Sequence, residues 1–233
     1  MEPRVSAQFH DAAKIGVVTL CAPPNNFLTV GLLTQVVEAL ERFDADSGCA
    51  AMILAAEGKH FCAGRDFSSV RAEDDTSINV YRMAIRLMRL TKPWAAVVQG
   101  GAIGAGLGLA MTADFRICGP RAYFTGNFVK LGLHHGFGLS VTLPRIVGSA
   151  AAARILMSGK RYGAEEALRL GMVDELADTD DLVGAALRFL EDIAGNPSPA
   201  VLQIRQTLRG NIAQRFAEAV EIEATKQAAA KGD

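Results

Sequence analysis

The sequence is short of most of what a nucleic-acid-binding, secreted or metal-dependent protein needs. Its 233 residues carry 24 Lys and Arg against 25 Asp and Glu, a formal net charge of −1. Without a basic excess to form a cationic face, no nucleic-acid partner is expected. The four cysteines (Cys21, Cys49, Cys62, Cys118) are scattered with no CxxC pair. Neither a metal site nor a disulfide framework is therefore expected, which suits a reducing cytoplasm. There is no HExxH and no GxSxG, and Gly159-Lys160 runs into Arg161 without the upstream glycine of a phosphate loop. The opening MEPRVSAQFHDAAK has no apolar stretch and includes acids. No secretory or transit signal is visible, and a cytoplasmic location is expected.

Charge is also missing between Lys92 and Asp114, where Gly100, Gly104 and Gly108 recur at the spacing of packed membrane helices. Pro93, Gln99, Gly101 and Gly106 interrupt that stretch. So many helix-weakening residues are costly inside a span. The segment reads instead as a buried strand, a glycine loop and a buried helix, with no membrane partner.

What is present is apolar: half the residues are hydrophobic and 21% are charged. That excludes a disordered chain and supplies a proper core for one large domain or two small ones. Strands are expected at residues 15–20, 51–55, 94–99, 115–118, 123–125 and 172–175. Between 30 and 46 the apolar positions Leu32, Leu33, Val36, Val37, Leu40 and Phe43 follow a helical period, with Glu38, Glu41 and Arg42 off the stripe. Further helices are expected at 78–90, 104–112, 139–147, 150–158, 164–170, 180–195, 199–210 and 215–230. Strands come early and helices late, in a strand–strand–helix rhythm rather than the regular alternation of a doubly wound sheet. The expected organisation is a core over residues 1–195 and, past the Asn196-Pro197-Ser198-Pro199 hinge, a helical region over 196–233.

A dinucleotide fingerprint fails at Gly104-Ala105-Gly106, because Leu109 stands where a third small residue is needed and Asp114 comes too early. Two other features fit together. Phe61-Cys62-Ala63-Gly64-Arg65-Asp66 is a small-residue turn after a buried strand, and the run Gly100–Gly106 is a glycine turn into a helix. Glycines permit close backbone approach, and a helix start leaves N–H groups unpaired. Two converging amides would form an oxyanion hole, worth about 2.7–4 kcal/mol per donor. The competing reading is two tight turns that only pack a core.

The run FCAGRDF, then KPWAAVVQGGAIGAGLGLAMTADFRI, VKLGLHHGF, LPRIVG and GAEEALRLGMVDE, in that order over nearly the whole chain, closely resembles the crotonase (enoyl-CoA hydratase/isomerase) superfamily. The resemblance implies an α/β fold, a spiral of β-β-α turns with a helical C-terminal trimerisation region. It implies an acyl-CoA substrate, no metal or redox cofactor, and assembly as a homotrimer or a dimer of trimers. Aligned on these motifs, the oxyanion amides fall on Arg65 and Ala105. Ala63, Gly64, Asp66, Gly104, Phe128 and His134 fall around the substrate.

The departures matter as much. Hydratases of the family use two glutamates, and their positions hold Gly108 and Phe128 here. Neither residue transfers a proton, and each lost acid–base group removes about 10²–10⁴-fold in rate. His134-His135 lies in the loop that enters this family's pocket, and a relative, dihydroxynaphthoyl-CoA synthase, has a catalytic aspartate at the place of His135. Imidazole titrates near neutrality, making His135 the candidate acid/base. Neighbours in an extended loop point opposite ways, so the two histidines are not expected to serve one site; lining a pocket or a subunit contact is the other reading of the pair. Asp66 reads as a turn or cap and Cys62 as a strand-end residue without a base. Tyr81, Tyr123, Lys59 and the Arg65 side chain are lesser substrate contacts, with packing or solvated charge as the alternative. The loop 68–79 is expected to shape the pocket. The chain stops at Asp233, shorter than is usual in the family, which bears on the oligomer contacts. The expected activity is acyl-CoA hydration, isomerisation or carbon–carbon chemistry; the alternative is a catalytically silent acyl-CoA-binding or assembly partner.

Overall fold

Strand, strand, helix is the repeating unit of the computed structural model, which describes residues 3–66 and 75–230. The first unit is β1 (Arg4–His10), β2 (Ile15–Cys21) and α1 (Val30–Ala45); the second is β3 (Ala51–Ala56), β4 (His60–Cys62) and α2 (Ser77–Arg89). The third is β5 (Trp94–Val98), β6 (Gly101–Ile103) and α3 (Ala105–Thr112). A fourth pair, β7 (Phe115–Cys118) and β8 (Tyr123–Thr125), leads into a 3-10 turn at Asn127–Leu131. Then follow α4 (Leu139–Val147), α5 (Ser149–Ser158), β9 (Tyr162–Gly163), α6 (Ala164–Arg169), β10 (Glu175–Leu176), α7 (Leu182–Ala194), α8 (Ser198–Arg209) and α9 (Ile212–Ala229).

The first pair of strands enters one sheet, and each later pair divides between two. One has the order β1-β2-β3-β5-β7-β10, parallel except for the β1–β2 hairpin; the other has β4-β6-β8-β9. Successive units thereby stack as turns of a spiral. The central strands are uninterrupted apolar runs because both faces are covered. Met52 and Leu54 of β3 face the main core with α1 and α2, while Ala51, Ile53 and Ala55 face a second cluster with Leu190 and Ala186 of α7. The α1 stripe of Leu32, Leu33, Val36, Val37 and Leu40 is buried, and Thr29 caps the helix by accepting from the Leu32 N–H.

The helical tail returns to the core in two ways. Helix α8 buries none of its residues. It is tied by Arg205 and Arg209, whose guanidinium groups donate to the Asp114 carboxylate at 2.9 and 2.6 Å. Helix α9 packs against α2 and α4 with Phe216 and Val220 fully buried.

Several expectations need correction. Strand β1 was not anticipated: it is an edge strand with only Val5 and Phe9 packed on the core, too little alternation to read. Strand β4 lies within the stretch read as a loop and spans only His60–Cys62. The last strand is Glu175–Leu176 rather than 172–175, because Met172 and Val173 are buried as core residues before the ladder begins. Of the expected pocket loop, residues 68–74 lie outside the described residues, and 77–79 form the first turn of α2. Among the described residues no helix is long and apolar enough to cross a membrane; residues 93–113 form β5, β6 and α3.

Candidate active site

The two small-residue turns sit at the C-terminal ends of β4 and β6, neighbouring parallel strands of the second sheet. Their approach is as close as backbone allows. A Cβ on Gly64, where φ is +81°, would stand 2.7 Å from the Ile103 carbonyl oxygen and 3.2 Å from the Ala105 nitrogen. A Cβ on Gly106 would stand 2.1 Å from the Cys62 carbonyl oxygen. Glycine at both places is a steric requirement of bringing the turns together.

Ala63, Arg65 and Ala105 line one small cleft of about 40 Å³ with Asn127, Phe128 and Leu131. Among the described residues, neither the Arg65 nor the Ala105 main-chain N–H has a hydrogen-bond acceptor. The Ala105 amide opens α3, where a helix start leaves its donors unpaired. The Arg65 amide is aimed by its own peptide unit: the Gly64 carbonyl accepts from the Leu28 N–H at 2.7 Å, and a planar trans peptide points its N–H the opposite way. Gly104, at φ +56°, makes the bend into α3. Of the cleft residues, Asn127 and Leu131 were not singled out from sequence. Asn127 Oδ1 lies 3.2 Å from where a Cβ on Gly104 would stand, and its position one residue before Phe128 was the only available signal.

The remaining candidates lie elsewhere. Asp66 is half-buried and does not line the cleft. Cys62 is buried, and burial pushes its thiol up to about 12, so it holds no reactive thiolate. Tyr81 is buried against the Phe137 ring at 5.7 Å, and its hydroxyl donates to Gln227 Oε1 at 3.2 Å. Tyr123 carries the Arg161 guanidinium over its ring at 3.8 Å and borders a separate hollow with Lys59, His60 and Arg121.

His134 and His135 are half-buried, do not line the cleft, and face α9. The expectation that they point opposite ways is corrected: their rings stack with centroids 4.1 Å apart, because His134 Nδ1 folds back to the His135 carbonyl oxygen at 2.7 Å. His135 Nε2 is buried without a hydrogen-bond partner among the described residues, 3.6 Å from Glu223 Oε1. Burial, reinforced by His134 and Lys226, lowers the His135 pKa to about 4. The ring is neutral at pH 7, and the contact with Glu223 is then no ion pair. Glu223 is itself buried on α9 and accepts from the Gly138 and Ser140 amides at 2.7 and 2.9 Å and from the Ser140 hydroxyl. Burial raises its pKa, partly offset by those bonds. Gln227 Nε2 adds a bond to the His134 carbonyl at 2.8 Å. This α9 cluster had no sign in the sequence, since Glu223 follows the exposed acids Glu218 and Glu221 in the same helix.

The cleft brings together Arg65 and Ala105, two residues whose main-chain N–H groups lack an acceptor among the described residues, with walls of Ala63, Phe128 and Leu131. Among the described residues its lining has no proton-transfer side chain: the Arg65 side chain is 1% exposed and turned into an ion pair with Asp75.

The family model described as enoyl-CoA hydratase/isomerase matches residues 10–231. The protein named "Probable enoyl-CoA hydratase EchA14" of Mycobacterium tuberculosis is 35% identical over 84% of this chain and 78% of its own length. A "Probable enoyl-CoA hydratase" of Bacillus subtilis is 30% identical over 91% of this chain and 90% of its own. The crystal structure of an enoyl-CoA hydratase/isomerase from Pseudoalteromonas atlantica superposes with a TM-score of 0.88 at 26% identity, covering 98% and 92% of the two chains.

Proposed function

The chain belongs to the enoyl-CoA hydratase/isomerase family and has the crotonase fold, and on that premise we propose that it binds an acyl-CoA thioester with the thioester oxygen between the Arg65 and Ala105 amides. The observation that carries this reading is that Arg65 and Ala105, whose main-chain N–H groups have no acceptor among the described residues, line one cleft. Such a pair stabilises an oxyanion or enolate by about 2.7–4 kcal/mol per donor. Coenzyme A arrives as part of the substrate, so the reading needs no resident cofactor or metal.

Hydration, double-bond isomerisation and carbon–carbon chemistry all pass through that charged oxygen. Gly108 and Phe128, at the two glutamate positions of the resemblance, weigh against water addition by a carboxylate pair. His135, the acid/base candidate of the resemblance, lies outside the described cleft lining and, with its pKa lowered to about 4, is neutral and weakly basic at pH 7. Assembly as a trimer or dimer of trimers is part of this reading through the resemblance, and exposed Ile204 and Leu208 on α8 offer apolar surface for a contact between copies. One observation favours a second reading, a catalytically silent acyl-CoA-binding partner: among the described residues the cleft lining offers no acid or base.

Calorimetric titration of a panel of acyl-CoA thioesters, with free coenzyme A as reference, tests both readings. Thioesters should bind more tightly than coenzyme A. Gly64→Ala, which forces the turns apart, should remove that increment. His135→Ala should lose turnover and keep binding; unchanged turnover removes His135 from the mechanism. Binding without turnover of any thioester selects the silent partner. If no thioester binds, both readings fall.

A further inference from the structure

Arg65 is unusual in what its side chain does. The guanidinium is 1% exposed: Nη1 donates to the Leu28 carbonyl and to Asp75 Oδ1 at 3.0 Å, and Nη2 donates to the Asp75 carbonyl at 2.5 Å. Asp75 Oδ1 also accepts from the Val30 N–H at 2.8 Å. One carboxylate oxygen therefore joins the residue that presents the amide to the first turn of α1.

Leu28 completes a closed frame. Its N–H holds the Gly64 carbonyl, and its carbonyl takes the Arg65 side chain. The 64–65 peptide is thus gripped from both sides of the Arg65 Cα, and its N–H points away from the Gly64–Leu28 bond. The grip depends on a buried cation, which is costly unless an anion accompanies it. Among the described residues, Asp75 is the anion in contact with the Arg65 guanidinium. Remove that charge, and the guanidinium gains by moving to water, taking with it the frame that orients the amide.

We infer that Asp75 is a positioning residue, which sets the direction of the Arg65 main-chain N–H by holding the Arg65 side chain buried. This rests on the reading of that amide as a thioester-oxygen donor. It assigns no contact between Asp75 and substrate.

The test uses the purified full chain with hexadienoyl-CoA, whose conjugated chain reports polarisation of the thioester carbonyl. Hydrogen bonds to that oxygen move the absorption band to longer wavelength and lower the carbonyl stretching frequency. The wild type at saturation should show both displacements. Asp75→Asn keeps an acceptor for the Val30 and Arg65 donors and removes only the charge; it should keep the circular dichroism spectrum and bind the probe while losing most of both displacements. Asp75→Glu, which restores the charge, should recover part of them. A merely structural role would change melting temperature and leave the bound probe's spectrum alone. If Asp75→Asn displaces the band as the wild type does, the inference is overturned and the oxyanion reading stands. If the wild type itself shows no displacement with the probe bound, both are overturned.

Discussion

The Phe137 ring fills the space beside Gly108: a Cβ on Gly108 would stand 2.6 Å from the Phe137 Cβ and 2.7 Å from its Cδ1. Phe137 is fully buried and holds a φ of +62°, a region that non-glycine residues seldom occupy. Gly108→Glu alone should cost about 1–3 kcal/mol from overpacking, and more because the added carboxylate is desolvated. Phe137→Gly in the same chain both makes room and accepts the positive φ. Urea unfolding of the two single variants and the double should therefore show a double variant less destabilised than the sum. Strict additivity would mean that the two positions do not compete for one volume.

His135 predicts a pH dependence of stability. Its pKa is about 4 folded against 6.5 as the ordinary value. Between those values the unfolded chain binds the proton and the folded chain does not, so stability falls as pH drops from about 6.5 toward 4. The full effect is on the order of 3 kcal/mol. Glu223, whose folded pKa is raised, acts in the opposite sense: above its ordinary value it loses stability as pH rises, until its folded pKa is passed. Urea midpoints of the wild type should fall from pH 7 to pH 5, and those of His135→Leu should fall less. Parallel profiles would show that His135 is not the titrating group.

Asp114 should be the anchor of α8. Its carboxylate takes both Arg205 and Arg209 and also accepts from the Trp94 N–H at 3.1 Å. The two arginine side chains are 10% and 13% exposed. Asp114→Ala leaves both without their anion and should cost about 3–5 kcal/mol, as when a buried pair is broken. Hydrogen exchange should accelerate across residues 198–209 ahead of the central strands. Uniform acceleration would place the loss in the core instead.

The central strands were legible because burial on both faces writes itself into composition, as in AMILA of β3 and WAAVV of β5, whereas the spiral was an implication of the resemblance. The turn glycines were legible because Gly64 and Gly106 are sterically forced. Less was legible where short or half-wet elements carry little pattern, as in β1 and β4. The histidine pair was misjudged because period-2 alternation belongs to strands, whereas His134 closes a bond to the next residue's carbonyl. Asp75 and Glu223 were invisible, since a surface acid and a buried counter-charge look alike until the tertiary partner is known.

Glu223 and Gln227 tie the far end of the chain to the histidine loop and to the start of α4. A protease cutting within α9 upstream of them would sever three elements at one stroke: the cap of α4, the acceptor for the Tyr81 hydroxyl, and the prop beneath residues 134–136. The tail and the wall around Phe137 should consequently melt as one cooperative block, never in sequence.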